Sequence, residues 1–167
     1  MAKYLYDECD ILKYSIMDFT KSFKALQAII TGLTEGAFVH KMQGQIFKSQ
    51  GFEKLGQKYI DHYTEEMGWV EKCTDRMLDL GCTPQVLPTK ERKLFEDACE
   101  YLKEDLKIQK EGVNMLYSML PEIANDPTTY DIVKAYLLDE EEDQYWSEEQ
   151  LDLIEKIGYQ NWLIKQM

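Results

Sequence analysis

Apolar residues recur at steps of three and four over four long stretches, about residues 18–47, 52–80, 91–119 and 128–156. That is the period of a helix with one buried face. All four prolines, Pro84, Pro88, Pro121 and Pro127, fall in two short windows between these stretches. Proline lacks an N–H and clashes with the preceding turn, so the two windows are breaks. Gly51 offers a stop after the first stretch and predicts an antiparallel hairpin of the first two helices. The segment GCTPQVLPTK between the second and third is longer and able to carry the chain across a bundle. The tail IGYQNWLIKQM, around Gly158, adds a short fifth helix. The expectation is an all-α fold, a four-helix bundle with a long crossover between its second and third helices. Residues 1–17 read as an N-terminal extension and 18–167 as one domain.

The buried stripe of each helix follows from the same stepping. The first runs Phe19, Phe23, Leu26, Ile30, Leu33, Ala37, His40 and Gly44; the second runs Tyr59, His62 or Tyr63, Glu66, Trp69 or Val70, Cys73, Met77 and Leu80. The third runs Phe95, Cys99, Leu102, Leu106, Gln109, Val113, Leu116 and Leu120; the fourth runs Val133, Tyr136 or Leu137, Glu140, Asp143, Ser147, Leu151 and Ile154. Three stripes therefore carry a polar group near mid-helix, where burial without a partner costs a few kcal/mol. Glu66, Gln109, Glu140 and Asp143 are expected to meet in the bundle centre. Carboxylates with an amide suit a hard cation, and equally a hydrogen-bonded polar network.

Charge narrows the partners. Asp and Glu outnumber Lys and Arg 31 to 19, for a net charge of −12, which repels a phosphate backbone and excludes nucleic acid as a partner. The apolar runs are too short to cross a bilayer, and the N-terminus lacks the layout of a signal peptide, so no membrane association and a cytoplasmic location are expected. Cys9, Cys73, Cys82 and Cys99 form no CxxC pair, and reduced thiols are expected of a chain with a good core.

Three segments carry a resemblance: FKSQGFEKLGQKYIDHYTEEMGWVEKCTDRMLDLGCTPQ, LKEDLKIQKEGVNML and LLDEEEDQYWSEEQLDLIEKIGYQNWLIKQM. The chain resembles the bacterioferritins, of the ferritin-like family, over about residues 16 to 167. The resemblance implies a ferritin-like bundle that pairs into dimers and builds a homo-oligomeric 24-mer cage for iron storage. The family's di-iron centre takes a glutamate from each of two helices and a Glu-x-x-His pair from each of the other two. By position, these ligands become Leu33, Glu66 with Trp69, Gln109, and Glu140 with Asp143. Both histidines and both lone glutamates are replaced, so the resemblance implies a degenerate ferroxidase site. Glu66, Glu140, Asp143 and Gln109 remain as candidate metal ligands. Met67 matches the methionine with which the family binds haem b across a two-fold axis, and two such thioethers can hold one iron axially.

Each candidate has a plainer alternative. Met67 also fits as a flexible filler of a subunit interface, and Glu66 and Glu140 as groups hydrogen-bonded to Tyr59, Tyr63 or Tyr136. His40 and His62 read as satisfied polar residues and Trp69 as packing. Asp61 and Glu65, at i,i+4, are candidate acids facing the cage cavity, or else part of a solvated helix face. Two functions follow. One is a haem-binding iron-storage subunit with weak or absent ferroxidase activity, served by a ferroxidase-competent partner subunit. The other is a metal-dependent oxidase using the non-standard carboxylate and amide site.

Overall fold

The computed structural model describes residues 18–88 and 91–167; the expected N-terminal extension lies outside them. Helix α1 spans Thr20–Ser49 and α2 spans Glu53–Asp79. Between them Gly51 adopts φ 87°, a left-handed conformation that glycine reaches without strain. Phe52 N–H then donates to Phe47 O at 2.9 Å, closing the end of α1 and turning the chain back. The two helices pack along their length as a hairpin.

The crossover between Leu80 and Asp97 is strapped to α1 by two glutamine side chains. Gln27 Nε2 donates to Gln85 O at 2.9 Å and its Oε1 accepts from Gln85 N–H at 2.8 Å. Gln43 treats Phe95 the same way, at 2.6 and 2.9 Å. These anchors lie about 24 Å apart along α1 at the rise of an α-helix. Arg92 adds an ion pair to Glu35 at 2.9 Å.

Helix α3 spans Ala98–Met119, so it starts seven residues later than the periodicity of 91–119 predicts. Gln43 claims both backbone groups of Phe95, and Asp97 caps the helix by accepting from Glu100 N–H at 2.8 Å. A 3-10 turn, Leu120–Ile123, leads to α4, Pro127–Ile157. Asp126 caps α4, with Pro127 in the first turn, where the missing N–H costs nothing. Arg76 of α2 donates to the same Asp126 at 2.7 Å. Burial opposes the Asp126 charge, but bonds from Thr129 and Ser22 and the Arg76 guanidinium hold its carboxyl below the usual value. Gly158, at φ 83°, separates α4 from the short α5, Tyr159–Lys165.

The described residues therefore form an all-α bundle of two hairpins, α1/α2 and α3/α4, joined by a long crossover. Two apolar clusters fill it. One gathers Phe23, Leu26, Ile29, Leu33, Leu116 and Val133, and the other gathers Phe47, Leu55, Tyr59, Tyr101, Leu102 and Trp162. Trp162, fully buried, anchors α5 and donates its indole N–H to Gln150 at 3.0 Å. Cys73 and Cys99 are free thiols, whereas Cys82 is disulfide-bonded, a departure from the reduced state expected for all four.

The α1/α2 contact is closest at two facing glycines. A Cβ on Gly44 would lie 2.7 Å from Gly56 O and 2.9 Å from Ile60 Cγ1, whereas one on Gly32 would meet nothing within 4 Å. Gly44→Ala is therefore expected to lower stability by about 1–3 kcal/mol through overpacking. Gly32→Ala is expected to raise it by up to about 1 kcal/mol through helix propensity. Thermal melts of the two variants check the contrast; equal effects would show that the helices are not in contact at Gly44.

Candidate functional site

Between the two apolar clusters the interior turns polar. Helices α1 and α3 make few direct contacts, and the cleft between them is a cavity of about 670 Å³. Its lining includes His40, Glu66, Asp105, Gln109, Glu140 and Asp143, brought from all four long helices. The four polar residues expected at the centre are thus brought into one cavity.

His40 links three helices. Its Nδ1 lies 2.9 Å from Glu66 Oε2 on α2, and its Nε2 lies 3.0 Å from Asp105 Oδ1 on α3. Burial opposes the imidazolium, but the Glu66 and Asp105 carboxylates outweigh it and raise the His40 pKa well above the usual 6.5. Asp105 also accepts from Gln109 Nε2 at 3.3 Å through its other oxygen. Gln109 Oε1 and the hydroxyls of Tyr59, Tyr101 and Ser147 are buried without an aligned partner among the described residues. Tyr59 does face Asp105, which together with burial pushes its hydroxyl pKa well up.

Asp143 has a different engagement. His62 Nε2 approaches its Oδ1 to 2.9 Å, obliquely rather than in line, and Lys58 Nζ lies 3.3 Å away. Burial works against its charge, but His62 and Lys58 hold the carboxyl below the usual value. Glu140 has no cation in ion-pair contact, and His40 acts on it only weakly from a distance. Burial raises its carboxyl to about 7, the Tyr136 hydrogen bond counteracting and Glu66 and Asp143 adding to the rise.

Leu33 lines the same cavity at its apolar edge, 4% exposed and packed within the apolar cluster. Trp69 stands over Tyr136 at 5.5 Å and donates its indole N–H to Asp139 at 2.6 Å. A leucine has no donor atom and the indole nitrogen no lone pair, so this side of the interior does not fit the paired-iron centre implied by the resemblance. Among the described residues no group of three or more His, Cys, Asp or Glu stands ready as an ion site. Met67 is half-buried on α2 and outside the cavity lining. Asp61 and Glu65 are exposed on α2, Asp61 accepting from Gln57 at 2.8 Å.

Asp105 is the site residue that stripe reading misses. Stepping from Leu102 to Leu106 favours the apolar choice, yet Asp105 is the buried one, at 4%, with Leu106 half-buried. The available signal was spacing, because Asp105 lies four residues before Gln109.

A bundle of two hairpins with a long crossover and carboxylates converging from its helices is the class that houses metal centres in the bundle core, between facing helices. A Ferritin-like domain model matches residues 23–157. A bacterial ferritin of Neisseria meningitidis serogroup B is 34% identical over 133 residues, covering 78% of this chain and 84% of the relative. A bacterial ferritin of Pseudomonas aeruginosa is 30% identical over 145 residues, covering 85% and 94%, and one of Synechocystis is 32% identical over 133 residues, covering 78% and 83%. The chain belongs to the ferritin-like family. No helix among the described residues is long and apolar enough to cross a membrane.

The electrostatics set a pH signature. Because the Glu140 carboxyl rises from 4.5 to about 7 on folding, the folded chain holds a proton that the unfolded chain has released between those values. Stability therefore falls as pH rises through that window. His40 adds to the fall, its contribution being complete below 6.5 and lost as pH climbs through its raised value. In chelator-treated protein, Glu140→Gln is expected to be about 1–3 kcal/mol more stable than the parent near pH 8 and equal to it near pH 4. Denaturant titrations at the two pH values check this; an unchanged difference between them would show that Glu140 keeps its ordinary acidity.

Proposed function

We propose that this chain is a bacterioferritin-like subunit of an iron-storage cage, with haem b held at Met67 and little paired-iron ferroxidase activity of its own. The observation that carries the last part is a side of the interior without donors: Leu33 is buried in the apolar cluster where it borders the cavity, and Trp69 is fixed to Asp139. Two irons, as substrate, need enough donors to hold them together through oxidation. Asp143, engaged by His62 and Lys58, is not free to supply one. The relatives named bacterial ferritin support the storage role. A ferroxidase-competent partner subunit in the same cytoplasmic cage would oxidise the iron.

Assembly into dimers and a 24-mer is supported by apolar surface on the α1/α2 hairpin. Phe38 and Met42 are 48% and 53% exposed, and Tyr63, in ring contact with Phe38 at 5.7 Å, lies one turn before Met67. A half-buried thioether on that face fits an axial ligand shared with a symmetry mate. A bound haem would supply a one-electron redox centre. The second reading, a metal-dependent oxidase, is favoured by one observation: Glu66, Gln109, Glu140 and Asp143 line a single cavity open to the surface.

Stopped-flow mixing with two ferrous ions per chain under air tests the first reading. The parent protein is expected to oxidise iron slowly, and the combined Leu33→Glu, Trp69→His, Gln109→Glu and Asp143→His variant at least tenfold faster, about 1.4 kcal/mol in barrier. A fast phase in the parent that disappears in Glu140→Ala would establish the oxidase instead. Met67→Leu conserves volume and removes the sulfur, so it is expected to abolish the haem Soret band while light scattering reports the same assembly. Full haem content in that variant would place the ligand elsewhere.

A further inference from the structure

We propose that the cleft between α1 and α3 is a small-molecule site for a primary organic ammonium with an apolar body, its head on Glu66, Gln109 and Glu140 and its body against Ile29, Leu33 and Met115. The site requires neither cage assembly nor haem.

The cleft has the size of an organic ligand. Its volume of about 670 Å³ lies within the range of pockets that bury small molecules. The room arises because α1 and α3 hardly touch and present Gly36 and Gly112 to the opening. A Cβ on Gly36 would lie 3.4 Å from Glu66 Oε1, and one on Gly112 would lie 4.0 Å from Glu140 Oε2. Each glycine thus leaves a carboxylate oxygen uncovered on its side of the cleft.

The head group follows from what the polar residues lack. Asp105 Oδ2 accepts from Gln109 Nε2 at 3.3 Å. A carboxylate only accepts, so the amide turns its nitrogen to Asp105 and its Oε1 away. That oxygen has no donor among the described residues, and it belongs to a side chain 6% exposed that lines the cleft. A buried acceptor in that state marks a missing donor. Glu66 gives Oε2 to His40 at 2.9 Å and keeps Oε1 beside Gly36. Glu140 lines the same cleft without a cation in ion-pair contact. These three residues therefore offer acceptors and negative charge to an occupant. A water molecule answers with two donors and no charge. An alkylammonium brings three N–H donors and one positive charge, and its bonds to carboxylates are charge-assisted.

The body follows from the adjoining wall. Ile29 and Leu33 of α1 and Met115 of α3 line the cleft, the first two as members of the apolar cluster. Leucine at position 33, where the resemblance places an acid, extends this wall. Met115 is 40% exposed, and its unbranched thioether adapts to the shape laid against it. Acceptors beside an apolar wall select an amphiphilic amine over a sugar or a bare ammonium ion.

Phenethylamine is the probe, titrated calorimetrically near pH 8 into chelator-treated, haem-free full-length protein. One saturable site per chain is expected, with a Kd at or below about 1 mM. Phenethyl alcohol lacks the charge and phenethyltrimethylammonium lacks the N–H donors, so each is expected to bind more weakly by about tenfold or more. Glu140→Gln and Gln109→Leu are expected to weaken phenethylamine by a similar factor. Gly112→Leu leaves every charge in place and fills the opening, and is expected to abolish binding. Circular dichroism establishes which variants are folded, and those that are carry the test together with the two control ligands. An amine drawn only by the net charge of −12 binds the folded variants and the trimethyl compound as well as it binds the parent. That result overturns the proposal, as does equal affinity for phenethyl alcohol or a parent without a saturable site. Slow ferrous oxidation or a missing haem changes none of these outcomes, so this site and the cage reading fail separately.

Discussion

The interior depends on one imidazole held between two carboxylates. His40 joins α1 to Glu66 of α2 and to Asp105 of α3, across a cleft whose two helices otherwise hardly touch. The ring is 12% exposed and Asp105 4%. At that depth a carboxylate without a counter-charge costs several kcal/mol. The cation is therefore what permits so many acids in one bundle. The surrounding tyrosines are placed accordingly: Tyr59 and Tyr101, ring centroids 4.9 Å apart, form an aromatic wall beside Asp105.

Three of the positions that the resemblance assigns to paired-iron ligands are otherwise engaged in this structure. Leu33 has joined the apolar cluster, Trp69 has become a donor to Asp139, and Asp143 has become the acceptor for His62 and Lys58. Glu66 and Glu140 remain in place, and a different histidine, from α1, has come to face Glu66. The polar centre lies beside the aromatic cluster around Tyr59, whose ring stands 5.6 Å from that of His40.

The helices were legible because periodicity and proline are local signals, and the hairpins and crossover followed from them. The start of α3 was not, since residues 91–97 carry no breaker. What stops the helix is Gln43, over fifty positions earlier in the chain, taking the backbone of Phe95. The convergence of Glu66, Gln109, Glu140 and Asp143 on one cavity could be read from the stripes. The role of His40 could not, because its two partners lie 26 and 65 positions away. Asp105 was hidden by Leu106, an equally good step on the wheel and the more apolar choice. Both misses concern pairings between helices, which one-dimensional spacing does not encode.

The strap formed by Gln27 and Gln43 has a consequence for how this crossover can change over evolutionary time. Each glutamine binds a backbone N–H and C=O, as a neighbouring strand would, and so reads position but not side-chain identity. The interval from Gln85 to Phe95 is thereby measured against a fixed length of helix, like a ribbon pinned at two marks on a ruler. Substitutions between the pins, those at Arg92 with its ion pair to Glu35 apart, leave the measurement untouched. A deletion does not: it forces one pin to release or α1 to shift its turn, and with it His40. Along this segment the protein is permissive in composition and strict in length.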